Sequence, residues 1–226
     1  KYNDFLKKFP TFEDLAKAPL DSVIKMWQGL GYNRRAIWVK TIAERVVNEY
    51  DGILPDDPKL LQEFKGIGEA TAGEIMAFAF NKPVVIINEV NIKRVYIYFF
   101  FHNAPVGSVK NSDLKPIIEK TCDNAHPREW YYALMDYSVE VIRKQFPKIH
   151  KKSASYKKQS KFKGSNRELR GKILRFITKN PGKDIKQITK GVKSDKKKVA
   201  ENLKNMLREG FLQKSTHNGK DYFSIA

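Results

Sequence analysis

Residues 59–95 read KLLQEFKGIGEATAGEIMAFAFNKPVVIINEVNIKRV. An apolar pattern at Leu60, Leu61 and Phe64 stops at Lys65-Gly66-Ile67-Gly68, and a second one (Ala70, Thr71, Ile75, Ala77, Phe78, Phe80) resumes at helical spacing. The reading is two helices joined by a glycine-bounded turn. Gly66 and Gly68 let the backbone turn tightly and bare its N–H groups, and the helix that starts just beyond adds the positive end of its dipole. Such a turn can hold a nucleic-acid phosphate without reading bases. Taken alone, a GxG turn is equally an ordinary helical hairpin. The apolar run at 83–87 follows, then Asn88, Glu89 and the basic helix start Asn91-Ile92-Lys93-Arg94, so a carboxylate comes close after the hairpin.

Working outward, 226 residues allow one or two domains with a proper core. The formal net charge of +18 calls for a polyanionic partner, most simply nucleic acid. A single cysteine, Cys122, excludes a disulfide framework and any cysteine-ligated metal or iron–sulfur centre built by this chain alone. The histidines at 102, 126, 150 and 217 are too scattered for a metal site. No apolar run approaches the ~18–20 residues of a membrane span, so no membrane partner is expected. The chain opens at Lys1-Tyr2-Asn3, without Met and inside a helical pattern that Pro10 ends, which reads as a natural amino terminus lying further upstream. Thr11 caps the next helix with Asp14 at the capping-box position, and Val23, Met26 and Trp27 form the apolar face of the one after.

Gly29-Leu30-Gly31-Tyr32-Asn33-Arg34-Arg35 then leads into a long helix. An aromatic in a glycine-flanked turn beside two arginines suits DNA: the ring can wedge into a base stack while the guanidiniums meet phosphates. The alternative is a tyrosine packed on its own helix start. After Val95 the run Tyr96-Ile97-Tyr98-Phe99-Phe100-Phe101 reads as core at helical spacing. Between residues 143 and 163 there are nine Lys/Arg and no acidic residue, a basic connector that Tyr156 and Phe162 could pin. Beyond it, helices over 167–178 and 185–189, a third capped by Ser194, and two strands flanking His217-Asn218-Gly219-Lys220 describe a winged helix-turn-helix, its third helix rich in lysine (Lys196, Lys197, Lys198, Lys204). A protein-binding role for this module stays open beside DNA binding.

The GIG hairpin, the TAGEIMAFAF helix, the carboxylate before NIKRV and the segment FPTFEDLAKAPLDSVIKMWQGLGYNRRA together resemble the helix-hairpin-helix DNA glycosylases, most closely their A/G-mismatch adenine glycosylases, over roughly residues 1–142. The resemblance implies an all-α glycosylase domain over 1–145, a basic linker over 146–165 and a small α+β winged-helix domain over 166–226. It implies a monofunctional glycosylase of base excision repair that hydrolyses the N-glycosidic bond of adenine opposite guanine or 8-oxoguanine, with thymine or uracil opposite guanine as the neighbouring substrate class. A non-catalytic DNA-binding protein is the reading from another class. Glu89 falls at the catalytic carboxylate when the register is anchored on NIKRV, and Asn88 when it is counted from the hairpin. A neutral amide cannot carry the charge, which favours Glu89, and Asn91 matches a substrate-positioning asparagine. Lys65, Gly66, Ile67, Gly68, Ala70 and Thr71 at the hairpin, Tyr32, Arg34 and Arg35 at the first turn, and Lys93 and Arg94 are expected to face DNA. Ala70 stands where bifunctional relatives carry a Schiff-base lysine, and Asp136 matches an aspartate that orients backbone. The family's proton-donating glutamate is expected upstream of Lys1. The family's cluster cysteines are missing after ALMD, so no iron–sulfur cluster is expected, while a monovalent cation at the hairpin is compatible with the resemblance. The implied protein is a monomer acting on double-stranded DNA in the bacterial cytoplasm, at the nucleoid.

Overall fold

Prolines and glycines cut the amino-terminal third of the chain into short helices. The computed structural model describes all of residues 1–226. Helix α1 (Tyr2–Lys8) stops before Pro10. Thr11 caps α2 (Phe12–Lys17), its hydroxyl accepting from the Asp14 N–H at 3.1 Å and donating to the Asp14 carboxylate at 2.9 Å. α3 (Leu20–Trp27) and α4 (Arg34–Glu49) follow, with Leu15, Val23, Ile24, Ala36 and Ala43 buried between them.

Next come α5 (Pro58–Glu63), α6 (Glu69–Phe78), α7 (Val90–Phe100), α8 (Asn111–Thr121) and α9 (Pro127–Tyr137). Helix α9 runs through a π-helical turn, Ser138–Ile142, into α10 (Arg143–Gln145). Pro58 opens α5 with Asp57 as its cap, accepting from the Lys59 and Leu60 N–H groups. The last part is α11 (Asn166–Lys179), β1 (Lys183–Asp184), α12 (Ile185–Val192), α13 (Lys196–Arg208), β2 (Leu212–His217) and β3 (Lys220–Ile225). The protein is thus mainly helical with a small α+β part at its carboxyl end.

The chain divides into two units. One joins Lys1–Leu54 to Ser160–Ala226; the other is Pro55–Gln159. In the first unit a single apolar cluster takes in Phe9, Leu15, Val23 and Ala36 together with Ile173, Leu174, Val199, Phe211 and Phe223. Its antiparallel sheet has the order β1-β3-β2, with Leu212 opposite Ile225 and His217 opposite Lys220. Asn218 and Gly219 both take positive φ, as the two-residue hairpin turn requires. Asp195, one residue beyond the expected Ser194, caps α13 by accepting from the Lys198 N–H at 3.0 Å. A carboxylate at that helix start gains from the dipole as well as the hydrogen bond.

In the second unit α7 is the central helix, with Ile92, Val95, Tyr96 and Ile97 buried against α8 and α9. The aromatic run at its end is not all core: Phe99 and Phe100 are 58% and 53% exposed. Six consecutive residues span more than one helical turn, so they cannot all face one neighbour. Each of the two exposed rings stacks on a neighbour instead, Phe99 on Tyr137 and Phe100 on Tyr96. The start of the basic connector is anchored in this unit. Ile149 and Ser153 are buried, Val109 bridges Ser153 in parallel, and Ala154 donates to the Val109 carbonyl. Tyr156 lies edge-on to the His150 ring, whereas Phe162 is exposed and does not pin the segment.

Candidate active site

Helix α7 needs partners for the N–H groups of its first turn, and Glu89 supplies them. Its Oε2 accepts from the backbone N–H groups of Asn91 and, at 2.8 Å, Ile92; Oε1 accepts from the Asn91 side-chain amide at 3.0 Å. A carboxylate so held is fixed in direction by its three hydrogen bonds. It is half-buried. Asn88, the other candidate, is exposed, and its amide oxygen accepts from Asn111 at 3.1 Å, away from the helix start.

Behind the carboxylate lies a polar relay. The Asn91 carbonyl oxygen accepts from Arg94 Nη1 at 2.6 Å, and Arg94 Nη1 also donates to Ser138 Oγ at 2.8 Å. Ser138 is fully buried on the π-helical turn, whose extra residue per turn brings its hydroxyl towards α7; such turns recur at functional sites. Burial, with the Arg143 charge nearby, draws the Arg94 guanidinium below its ordinary pKa, and the Glu89 carboxylate pushes it back up. Underneath, the fully buried Tyr131 hydroxyl donates to the Val84 carbonyl at 2.5 Å and accepts from the Ile86 N–H at 3.2 Å. It fixes the approach of the chain to Glu89, and its burial raises the phenol pKa well above the ordinary value.

Lys93 and Arg94 correct the expectation of two DNA-facing cations. Each is only 6% exposed. Arg94 turns inward to Asn91 and Ser138, while Lys93 Nζ donates to Ser155 Oγ at 2.8 Å, its pKa lowered by burial. Both therefore belong to the packed side of α7, held there by Ser155 and Ser138. Asp136 is exposed, and Ser138, two residues on, is the polar group that reaches the relay.

The hairpin has the expected helix-turn-helix form. Phe64 and Ile67 bury their side chains, so Ile67 is an anchor and offers no side-chain contact. Lys65, Gly66 and Gly68 are exposed, and their N–H groups have no backbone acceptor; only Ile67 donates within the turn, to the Phe64 carbonyl at 3.0 Å. Gly66 has φ +95°, which requires glycine, whereas Gly68 is extended and a Cβ there would meet open space. Ala70 and Thr71 are half-buried in the first turn of α6.

In the other unit, Tyr32 is 66% exposed at φ +46°, a backbone conformation that a bulky residue adopts at a cost of about 1–3 kcal/mol. Arg35 lies 5.3 Å from its ring centroid, and the Trp27 indole N–H holds the turn by donating to the Gly31 carbonyl at 3.0 Å. Arg34 is already paired, 2.9 Å from Glu209, whose other oxygen takes Arg170 at 2.6 Å. The two guanidiniums outweigh burial and hold the Glu209 carboxyl below its ordinary pKa. Ser138, Ser155, Tyr131 and Glu209 carry no motif, and nothing in the sequence marks them. No group of three or more His, Cys, Asp or Glu side chains is disposed to hold a metal ion.

The family profile described as "HhH-GPD superfamily base excision DNA repair protein" matches residues 1–117, just over half of the chain. The chain belongs to this superfamily. Among HhH-GPD relatives, the adenine DNA glycosylase of Buchnera aphidicola subsp. Baizongia pistaciae is 32% identical over 153 residues, 66% of this chain and 42% of that protein. A thymine/uracil-DNA glycosylase of Methanothermobacter thermautotrophicus is 28% identical over 151 residues, 66% of this chain and 68% of that protein. A solved structure of a thermostable thymine-DNA glycosylase superposes with a TM-score of 0.51 at 27% identity, over 61% of this chain and 64% of that one. The chain therefore spans less than half the length of the Buchnera adenine glycosylase.

Proposed function

We propose that this HhH-GPD protein is a monofunctional DNA glycosylase that removes adenine mispaired with guanine or 8-oxoguanine. One observation carries the reading: a half-buried carboxylate, Glu89, is held at the start of α7 by two backbone N–H groups and the Asn91 amide. An extruded base leaves its sugar through a cationic transition state, and a fixed anion beside the sugar carbon stabilises it. The purine departs with the bonding pair, protonated by a general acid, and water adds to the sugar carbon, its released proton restoring that acid. Asn91, held by Arg94, orients the carboxylate. Ala70 has no amine, so no Schiff base forms and the abasic site is left intact.

The bare N–H groups at Lys65, Gly66 and Gly68 are suited to a phosphate, the Tyr32 ring to the gap left by the extruded base, and Arg35 to the flanking backbone. A monovalent cation at the hairpin carbonyls, a monomeric state and nucleoid association belong to the same reading. Thymine or uracil opposite guanine is the second reading, favoured by the similarity to the Methanothermobacter thymine/uracil enzyme.

The test is single-turnover cleavage by the full-length protein of duplexes carrying A opposite 8-oxoguanine, A:G, T:G and U:G. Breakage of the two adenine duplexes only after alkali is expected. Cleavage of T:G or U:G instead transfers the reading to the second substrate class, and tight binding without cleavage of any duplex refutes an enzymatic role.

A further inference from the structure

On the carboxyl-terminal part of the first unit, Lys172, Arg175 and Lys179 stand at i, i+3 and i+7 of α11, one face of the helix. That face meets the end of α12, where Lys193 turns back in the left-handed conformation (φ +50°). The four cations line one cleft with Phe176 and Gly191. Gly191 lets the ring of Phe176 pack closely, since a Cβ there would run into it. Lys172 pairs with Glu168 at 2.8 Å; Arg175, Lys179 and Lys193 make no ion pair and are exposed. The nearby Asp195 is occupied as the cap of α13, and Lys196, Lys197 and Lys198 extend the positive surface beyond it. Between residues 166 and 226 there are sixteen Lys/Arg and six Asp/Glu, so the excess positive charge has no internal compensation.

We propose that this cleft is a second DNA site, which binds the phosphate backbone of duplex DNA independently of sequence. Lys172 and Lys179 are separated by about 10 Å along the helix axis, longer than one phosphate, which fits an extended polyanion and not a single anion. The cleft offers cations, one aromatic ring and a single amide, Asn180, whose side-chain N–H is taken by the Phe176 carbonyl at 3.0 Å, and no carboxylate lines it. It lies outside the Lys-rich third helix that the sequence pattern singles out, because only the fold brings α11 and the end of α12 together. The site rests on the DNA-directed reading above but not on base excision.

The experiment measures binding of the full-length protein to an undamaged duplex by fluorescence anisotropy across a salt series, for wild type and for the triple substitution Arg175→Gln/Lys179→Gln/Lys193→Gln. Loss of three phosphate contacts lowers the slope of log K against log salt by about 2–3. Affinity at moderate salt falls at least tenfold, and single-turnover excision at saturating protein does not change. A charge-matched control, Lys115→Gln/Lys120→Gln/Lys148→Gln, is expected to keep the slope within about one of wild type. An unchanged slope in a triple variant with wild-type melting overturns the proposal, and so does an equal loss in the control, which would reduce the effect to net charge. Absence of excision by wild type would refute the glycosylase reading and leave this measurement intact.

Discussion

Glu89→Gln separates the two jobs that the structure gives one side chain. As a helix cap, the carboxylate accepts from two backbone N–H groups and the Asn91 amide. Glutamine keeps a carbonyl oxygen at the same reach, so the capping loss is expected to stay below ~1 kcal/mol. For a chain of this size that is a fall in Tm of about 2–4 °C. As an anion beside a cationic sugar, the carboxylate is expected to contribute about 4 kcal/mol at roughly 4 Å and an effective dielectric of about 20. That corresponds to about a thousandfold in rate. Single-turnover excision of adenine opposite 8-oxoguanine, read after alkali, is therefore expected to fall ~1000-fold in a variant that melts within a few degrees of wild type and binds the duplex with similar affinity. A rate within about tenfold of wild type in that folded variant would refute the assignment. Recovery of that rate's loss by placing a carboxylate at residue 88 would move the catalytic position there.

Further outcomes follow from other parts of the structure. Tyr131→Phe leaves the Ile86 N–H and the Val84 carbonyl without a partner in the interior, and is expected to destabilise by about 1–3 kcal/mol in thermal or denaturant unfolding. Tyr32→Gly relieves the positive φ, so its Tm should equal or exceed that of wild type by up to ~1 kcal/mol of stability while excision falls at least tenfold; a variant of normal rate would show that the ring has no part in the reaction. Lys93→Met removes a buried ammonium whose hydrogen-bond acceptor is Ser155, and should leave the salt dependence of DNA binding unchanged; a slope reduced by about 0.9 would return Lys93 to the DNA surface. His150, its pKa lowered chiefly by burial and then by Arg94 and Lys151, stays neutral in the folded chain where the unfolded chain takes up a proton. Its contribution to stability is present above the ordinary histidine range and lost as pH falls below about 6.5, so His150→Gln should flatten the decline in Tm between pH 7 and 5.5.

Much of the fold is local and could be read from residue order. Pro10, Pro19 and Pro58 mark helix boundaries, Thr11 and Asp57 supply caps through their own side chains, Gly66 allows the turn of the hairpin, and Asn218-Gly219 gives the β-hairpin. Glu89 is legible for the same reason: its partners, Asn91 and Ile92, are two and three residues away. Contacts between distant segments are not legible in this way. Whether Lys93 and Arg94 face solvent or the interior depends on Ser155 and Ser138, respectively 62 and 44 residues further along the chain. Arg34 reads as a free phosphate ligand until Glu209 is brought to 2.9 Å from it. The exposure of Phe99 and Phe100 depends on which faces of α7 the helices α8 and α9 cover, and the cation cleft depends on α11 meeting the end of α12. Sequence alone therefore determined the helix starts, the turns and the carboxylate at the head of α7, because short-range hydrogen bonding and backbone sterics decide them. Only tertiary packing decided which cations are spent inside the protein and which remain free, because burial and pairing are properties of neighbours that the chain brings together from far apart.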